Sequence, residues 1–228
     1  MNPRQVFIVI PCFNDKKVIR KTLSDLTRFG YSLVVVNDGS SQKIEEEIND
    51  LQLYYATHRI NLGQGAALQT GVEIALQHGA EIIVHFDADG QHSADDIGQM
   101  IQPVADGIAD IVIGSRFLNR KDSEAVPFKK RTLLRLARIV NWSLTGMWLS
   151  DAHNGFRAMN KMAAEKLTIR ENRMGHASEI LIHIRNHKLR YTERATHITY
   201  SAYSLAKGQS AFNSINIVID LLLNKIFA

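Results

Sequence analysis

Four short apolar runs, each leading straight into a polar loop, constrain the fold of this chain more than any other feature. They are Val6 to Ile10, Leu33 to Val36, Ile82 to Phe86 and Ile111 to Ile113. Apolar runs of that length with little alternation suit strands buried on both faces, as in parallel sheets covered by helices. The stretches between them supply the helices. Lys17 to Phe29 carries Val18, Ile19, Leu23 and Leu26 at helical spacing, with Gly30 placed as its C-cap. Ile44 to Leu51 reads as a short helix and Leu53 to Ala56 as a further strand. Asn61-Leu62-Gly63-Gln64-Gly65-Ala66-Ala67 opens a helix to about His78, and its glycines could let backbone amides approach an anion. Ser93 is placed to cap a helix through about Val104, with Asp95 and Asp96 in its first turn. Pro11 is expected to end the first strand. Strands alternating with helices predict an α/β fold with a mostly parallel sheet flanked on both faces.

In such sheets ligands sit outside the carboxyl ends of the strands. The loops at Asn14, Asp38, Asp87 and Arg116 all follow strands, so they should gather on one rim. The loop after Ile82-Ile83-Val84 reads HFDADGQH, from His85 to His92. In an extended segment Asp87, Asp89 and Gln91 would face one side of the backbone. Two carboxylates and an amide oxygen form a hard-oxygen cluster, which suits Mg²⁺ or Mn²⁺ sharing phosphate oxygens. An isolated DxD is more often a simple acidic turn, here closed by Gly90. Its place among the other rim loops favours the metal.

The second half is less regular. Leu118 to Pro127 is polar and reads as a lid. Phe128 to Leu149 reads as a helix with Arg131, Arg135 and Arg138 on one face. Asp151 to Arg157 is a loop, DAHNGFR. Met162 to Leu167 and Gly175 to His187 read as helices, and Tyr191 to Tyr200 as a strand. Phe212, Ile215, Ile219, Leu222 and Ile226 form an apolar stripe in an amphipathic helix at about 209–227. That stripe suits core, a homo-oligomer contact or a membrane-surface helix. The 228 residues contain no repeat and no clear linker, so a single domain is expected. The net charge of +4 is no nucleic-acid signature, and no nucleic-acid partner is expected. Cys12 is the only cysteine, which excludes an intrachain disulfide and fits a reducing, cytoplasmic setting. The first residues lack a signal-peptide pattern, and no stretch of eighteen apolar residues occurs, so no transmembrane helix is expected.

The motifs VFIVIPCFN, VVVNDGS, NLGQGAA, HFDADGQH, IGSRF and DAHNGFR occur in an order that resembles family 2 of the inverting glycosyltransferases. The similarity is greatest to the dolichyl-phosphate mannosyltransferase-like branch and covers about residues 6 to 160. It implies a glycosyltransferase-A type fold and transfer of a sugar from a UDP- or GDP-linked donor. By the resemblance, Pro11, Phe13, Asp15 and Asp38 would line the base and ribose site. Asp87 and Ala88 would lie at the ribose and sugar, and Asp89 and Gln91 would hold Mg²⁺ or Mn²⁺ against the diphosphate. Arg116 would face the donor or the acceptor phosphate. The acceptor implied is a polyprenyl phosphate or lipid-linked glycan of cell-surface polysaccharide synthesis, met at the inner face of the membrane.

Four positions depart from the family pattern. Asp15 stands where glutamate is usual and Gln64 where lysine is usual. Leu205 and Ala211 flank Gly208-Gln209-Ser210 where the mannosyltransferases place an arginine and a lysine, leaving Lys207 as the nearby acceptor-side cation. A hydroxyl acceptor would need a base, for which Asp151 is the candidate, although Asp151 could instead order the Asn154-Gly155 turn. Arg157 suits an acceptor phosphate or a salt bridge equally. Glu179 could face the site or solvent. Two other functions fit parts of the pattern: a sugar-nucleotide pyrophosphorylase, whose basic glycine-rich loop is missing here, and a non-catalytic nucleotide-sugar-binding module.

Overall fold

The computed structural model describes residues 2–199 except 120–122, 125, 127, 153 and 174. Lys207 and the expected helix at 209–227 lie outside the described residues, as do parts of the expected lid at 118–127. The elements are β1 (Val6–Cys12), α1 (Lys16–Thr27), β2 (Ser32–Asn37), β3 (Tyr54–Thr57), α2 (Gln64–Gln77), β4 (Ile82–His85) and α3 (Ile97–Ala105). They continue with β5 (Ile111–Ser115), α4 (Phe128–Thr145), β6 (Arg157–Asn160), α5 (Lys161–Lys166), α6 (His176–Asn186) and β7 (Tyr191–Ala195). Among the described residues no helix is long and apolar enough to cross a membrane.

The seven strands form one sheet in the order β3-β2-β1-β4-β6-β5-β7. Every neighbouring pair is parallel except those made by β6, which runs antiparallel to both β4 and β5. Sequence patterning places Arg157 in a loop, whereas it begins β6. Only four residues long, with Arg157 at its head, β6 carries too little periodicity to be seen. Its insertion pairs Arg157 with His85 on one side and Ile113 on the other.

Alternation along β1 divides the interior into two cores. Val6, Ile8 and Ile10 pack with Leu23, Leu26, Ile97 and Met100 on the α1/α3 side. Phe7 and Val9 pack with Leu68, Val72, Ile180 and Leu181 on the α2/α6 side. Each such buried side chain contributes ~1.5–3 kcal/mol of transfer free energy.

Several boundaries differ from the sequence reading. β1 continues through Pro11 to Cys12, because β4 pairs with β1 only as far as Val9↔His85. Pro11 shares the parity of Val9, whose carbonyl accepts from Phe86 N, so its missing N–H falls where that ladder has ended. Residues 44–51 form no helix beyond a single turn at Glu45–Glu47. Ser93 precedes a short turn at Ala94–Asp96 and makes no side-chain cap bond.

Candidate active site

The carboxyl ends of β1, β2, β4 and β5 bring together the loops expected to form the site. At the end of β1, Phe13 is 38% exposed at the rim, while Pro11 and Ala88 are buried. The Asp15 carboxylate is buried and accepts the Phe13 N–H at 3.0 Å, which tightens this loop ahead of α1.

Asp38 follows β2 and is 2% exposed. Its Oδ1 accepts from Leu62 N at 3.0 Å and meets His58 Nδ1 at 2.7 Å. Its Oδ2 accepts from Gly63 N at 2.7 Å. The side chain therefore ties the 58–63 segment to the end of β2. Backbone amides at the start of α2 are also committed: Gly65 N and Ala66 N donate to the Asn172 carbonyl, at 2.8 and 3.3 Å. Close backbone approach explains glycine here, since a Cβ on Gly65 would lie 2.0 Å from the Glu171 carbonyl oxygen. These amides pair within the protein and do not form an open anion cradle.

The segment after β4 is a turn, not an extended strand, with Gly90 at φ +73°. Asp89 Oδ1 accepts from Gln91 N at 3.0 Å, and the Gln91 amide nitrogen donates to Asp89 Oδ2. Thr22 Oγ on α1 donates to the Ala88 carbonyl at 3.1 Å. Asp87 points another way: Gln64 Nε2 donates to its Oδ1 at 2.8 Å, and His92 Nε2 meets its Oδ2 at 3.1 Å. Burial and the neighbouring Asp87 charge raise the Asp89 carboxyl above its ordinary value. Burial also opposes ionisation of Asp87, but the His92 hydrogen bond and the Arg157 charge outweigh it and hold that carboxyl low. A Cβ at Gly155 would come within 2.9 Å of Asp87 Oδ2, so a side chain there would push on that carboxylate.

Among the described residues no three His, Cys, Asp or Glu side chains gather around one point, as a closed metal site would need. An open site has a smaller demand: one or two carboxylates, an amide oxygen and the oxygens of a bound diphosphate. Asp89 and Gln91 supply that donor set, and a cation there would offset the burial and the Asp87 charge that raise the Asp89 carboxyl. The residues present fit a divalent cation of the Mg²⁺ or Mn²⁺ kind.

Arg116 and Asp151 meet each other. Arg116 donates to Asp151 through Nε at 2.5 Å and Nη2 at 2.7 Å, and its backbone N–H adds a third bond at 3.2 Å. Both side chains are buried. Glu193 on β7 fixes the loop that carries Asp151, accepting from Ser150 N at 2.9 Å and from Ser150 Oγ at 2.7 Å. Arg157 is 1% exposed, and its Nε and Nη1 have no hydrogen-bond partner among the described residues. Burial lowers this guanidinium to about 10, with the charges of Asp87 and Asp151 acting in the opposite direction. It stays charged at neutral pH as a buried counter-ion to the two carboxylates. Glu179 is not directed at this cluster, since its carboxylate accepts the backbone N–H groups of Arg170 and Glu171. Sequence reasoning did not find Gln64, His92 and Glu193 as parts of the site. The first two act through hydrogen bonds to Asp87 that only the fold reveals, and Glu193 sits in a strand whose alternation carried no functional signal.

A mostly parallel sheet with one antiparallel insertion and an acidic turn at its carboxyl rim defines a glycosyltransferase-A type fold. The family model for glycosyl transferase family 2 matches residues 7–168, and the chain belongs to that family. It is 31% identical over 245 residues to the UDP-N-acetylglucosamine–dolichyl-phosphate N-acetylglucosaminyltransferase of Methanococcus voltae, covering 99% of this chain and 98% of that protein. It is 24% identical to the dolichol-phosphate mannosyltransferase of Pyrococcus furiosus, over 96% of this chain and 64% of that protein. Among solved structures, glucosyl-3-phosphoglycerate synthase from Mycobacterium tuberculosis, in complex with Mn²⁺, UDP and glucosyl-3-phosphoglycerate, superposes with a TM-score of 0.70 at 14% identity. That match covers 96% of this chain and 80% of the other. The chain is thus a glycosyltransferase whose relatives include polyprenyl-phosphate sugar transferases.

Proposed function

We propose that this enzyme transfers a sugar from a UDP-linked donor, an N-acetylhexosamine first among candidates, to a polyprenyl phosphate with inversion at the anomeric carbon. The Asp87–Gln91 turn at the carboxyl rim of the family 2 fold carries this reading. The near full-length similarity to the Methanococcus enzyme supports the choice of UDP and of a lipid phosphate.

In this account Asp89 and Gln91 hold a divalent metal, which supplies stabilisation of the negative charge that develops on the departing diphosphate. Asp87 accepts from the donor's ribose or sugar hydroxyls. Phe13 offers an exposed ring to the base, while Asp15 and Asp38 shape that pocket from behind by fixing their loops. The acceptor attacks from the face opposite the leaving group, which inverts the anomer. A phosphate monoester has a second pKa near ~6 and arrives largely ionised, so it needs no base. That agrees with an Asp151 whose carboxylate is already engaged by Arg116, and it makes Asp151 the residue that orients Arg116 toward phosphate.

A membrane-surface approach for the acceptor is supported by α4, which carries Lys129, Lys130, Arg131, Arg135 and Arg138 and no acidic residue. Near its end Trp142 and Trp148 are about half exposed, and the Arg138 guanidinium lies 4.2 Å from the Trp148 ring centre. Basic and aromatic side chains together suit an anionic bilayer interface. Family membership sets aside the pyrophosphorylase and non-catalytic alternatives.

Calorimetric titration with UDP, UDP-N-acetylglucosamine and GDP-mannose, with and without Mn²⁺, tests the donor reading. UDP compounds should bind more tightly, and Mn²⁺ should strengthen binding in the wild type but not in Asp89→Asn. Tighter binding of GDP-mannose would replace the donor assignment.

A further inference from the structure

We propose that His92 is a positioning residue that fixes the orientation of the Asp87 carboxylate for the donor. The proposal rests on the reading of Asp87 as a donor-binding group and deepens it.

The His92 side chain is 3% exposed. Its ring packs on two phenylalanines, 5.5 Å from the Phe86 centroid and 5.0 Å from that of Phe156. Those two rings pack edge to face at 5.3 Å, so the imidazole is held by a built aromatic bracket. An ionised Asp87 only accepts, which assigns the proton to His92 Nε2. The other nitrogen, Nδ1, is buried with no partner among the described residues. His92 also lines a cavity of about 50 Å³ with Lys21, Thr22, Asp25 and Gly90.

A residue kept only for packing would not be an imidazole here. A phenylalanine would fill the bracket and leave no orphaned nitrogen. What the imidazole adds is the single bond to Asp87 Oδ2. Gln64 holds Oδ1, and a side chain at Gly155 would crowd Oδ2. The carboxylate is therefore fixed on both oxygens by side chains, and each oxygen keeps a second lone pair for a ligand. The same bond joins the two ends of the 87–92 turn. An antiparallel bridge from His92 to Ile198 and the Thr199 N to Gln91 carbonyl bond at 2.9 Å anchor the far end of that turn.

Two variants separate positioning from packing. His92→Phe keeps the bracket filled and removes the donor. His92→Gln sacrifices the ring and keeps a donating N–H. Melting temperature, affinity for UDP-N-acetylglucosamine and donor kcat/KM are measured for both. We expect His92→Phe to melt closer to the wild-type temperature than His92→Gln yet lose about tenfold or more in kcat/KM, the worth of one hydrogen bond to a charged group. His92→Gln should melt lower and keep the greater activity of the two. Activity that follows stability, or a His92→Phe protein that fails to fold, would make His92 a structural residue and overturn the proposal. Asp87→Asn is measured alongside: full activity in that variant would instead remove Asp87 from the donor site, which is a failure of the underlying reading.

Discussion

Replacing Asp38 by asparagine tests how the rim is built. The carboxylate accepts bonds from two backbone N–H groups and one imidazole, at 3.0, 2.7 and 2.7 Å, in a setting 2% exposed. Asparagine has one accepting oxygen and one donating NH₂, so whichever way it turns, a donor faces a donor. If NH₂ faces Gly63, that amide is orphaned. If it faces the other side, Leu62 N loses its partner and the His58 contact survives only in the other tautomer. A lost hydrogen bond to a charged group costs ~1.5–3 kcal/mol, and a buried unsatisfied N–H adds ~1–3 kcal/mol. A loss of about 3 kcal/mol or more lowers the melting temperature of a chain this size by ~6–12 °C. Thermal unfolding followed by circular dichroism reads this directly, with calorimetric UDP affinity measured in parallel. Melting within 2 °C of wild type, combined with weakened donor binding, would refute the argument. It would show that Asp38 serves the ligand directly and that the 58–63 segment holds itself.

Two further outcomes follow from buried charge. Burial, and then the Arg157 charge, push the folded His85 down to about 3, and burial pushes His176 down to about 4. An unfolded histidine takes its proton near ~6.5, so between those values the unfolded chain binds more protons and stability must rise with pH. The urea midpoint should fall as pH drops from 7 to 5, and His85→Leu should flatten that dependence; an unchanged slope would exclude His85 as its source. For Arg116 and Asp151, either alanine variant leaves a buried charge without its two-pronged partner, a cost of ~3–5 kcal/mol. The double variant should fall short of the sum by ~0.5–3 kcal/mol of coupling, and strict additivity would contradict the pairing.

The parallel core was legible because its signal is local and repeated. Val6–Ile10, Leu33–Val36 and Ile111–Ile113 are unbroken apolar runs, and each is a buried strand. What escaped was non-local. β6 is defined by its neighbours β4 and β5 and not by its own four residues. The extended geometry expected for Asp87–Gln91 gave way to a turn because Gly90 adopts a positive φ and Asp89 bonds back to Gln91. The charged candidates were read one by one, each from its own motif. Sequence could not show that Arg116 and Asp151 would spend that charge on each other, 35 positions apart. Nor could it show that neutral Gln64 would contact Asp87, since that contact depends on where α2 begins relative to the end of β4.

The central claim, sugar transfer from a UDP donor onto a polyprenyl phosphate at the Asp87–Gln91 turn, is tested most directly by product formation. The purified chain is incubated with labelled UDP-N-acetylglucosamine, a polyprenyl phosphate and Mn²⁺, and the lipid fraction is analysed by mass spectrometry and NMR. The account predicts a mono-glycosylated polyprenyl phosphate of β configuration from the α-linked donor, lost in Asp89→Asn. A product of retained α configuration, or undiminished transfer by Asp89→Asn, would contradict it.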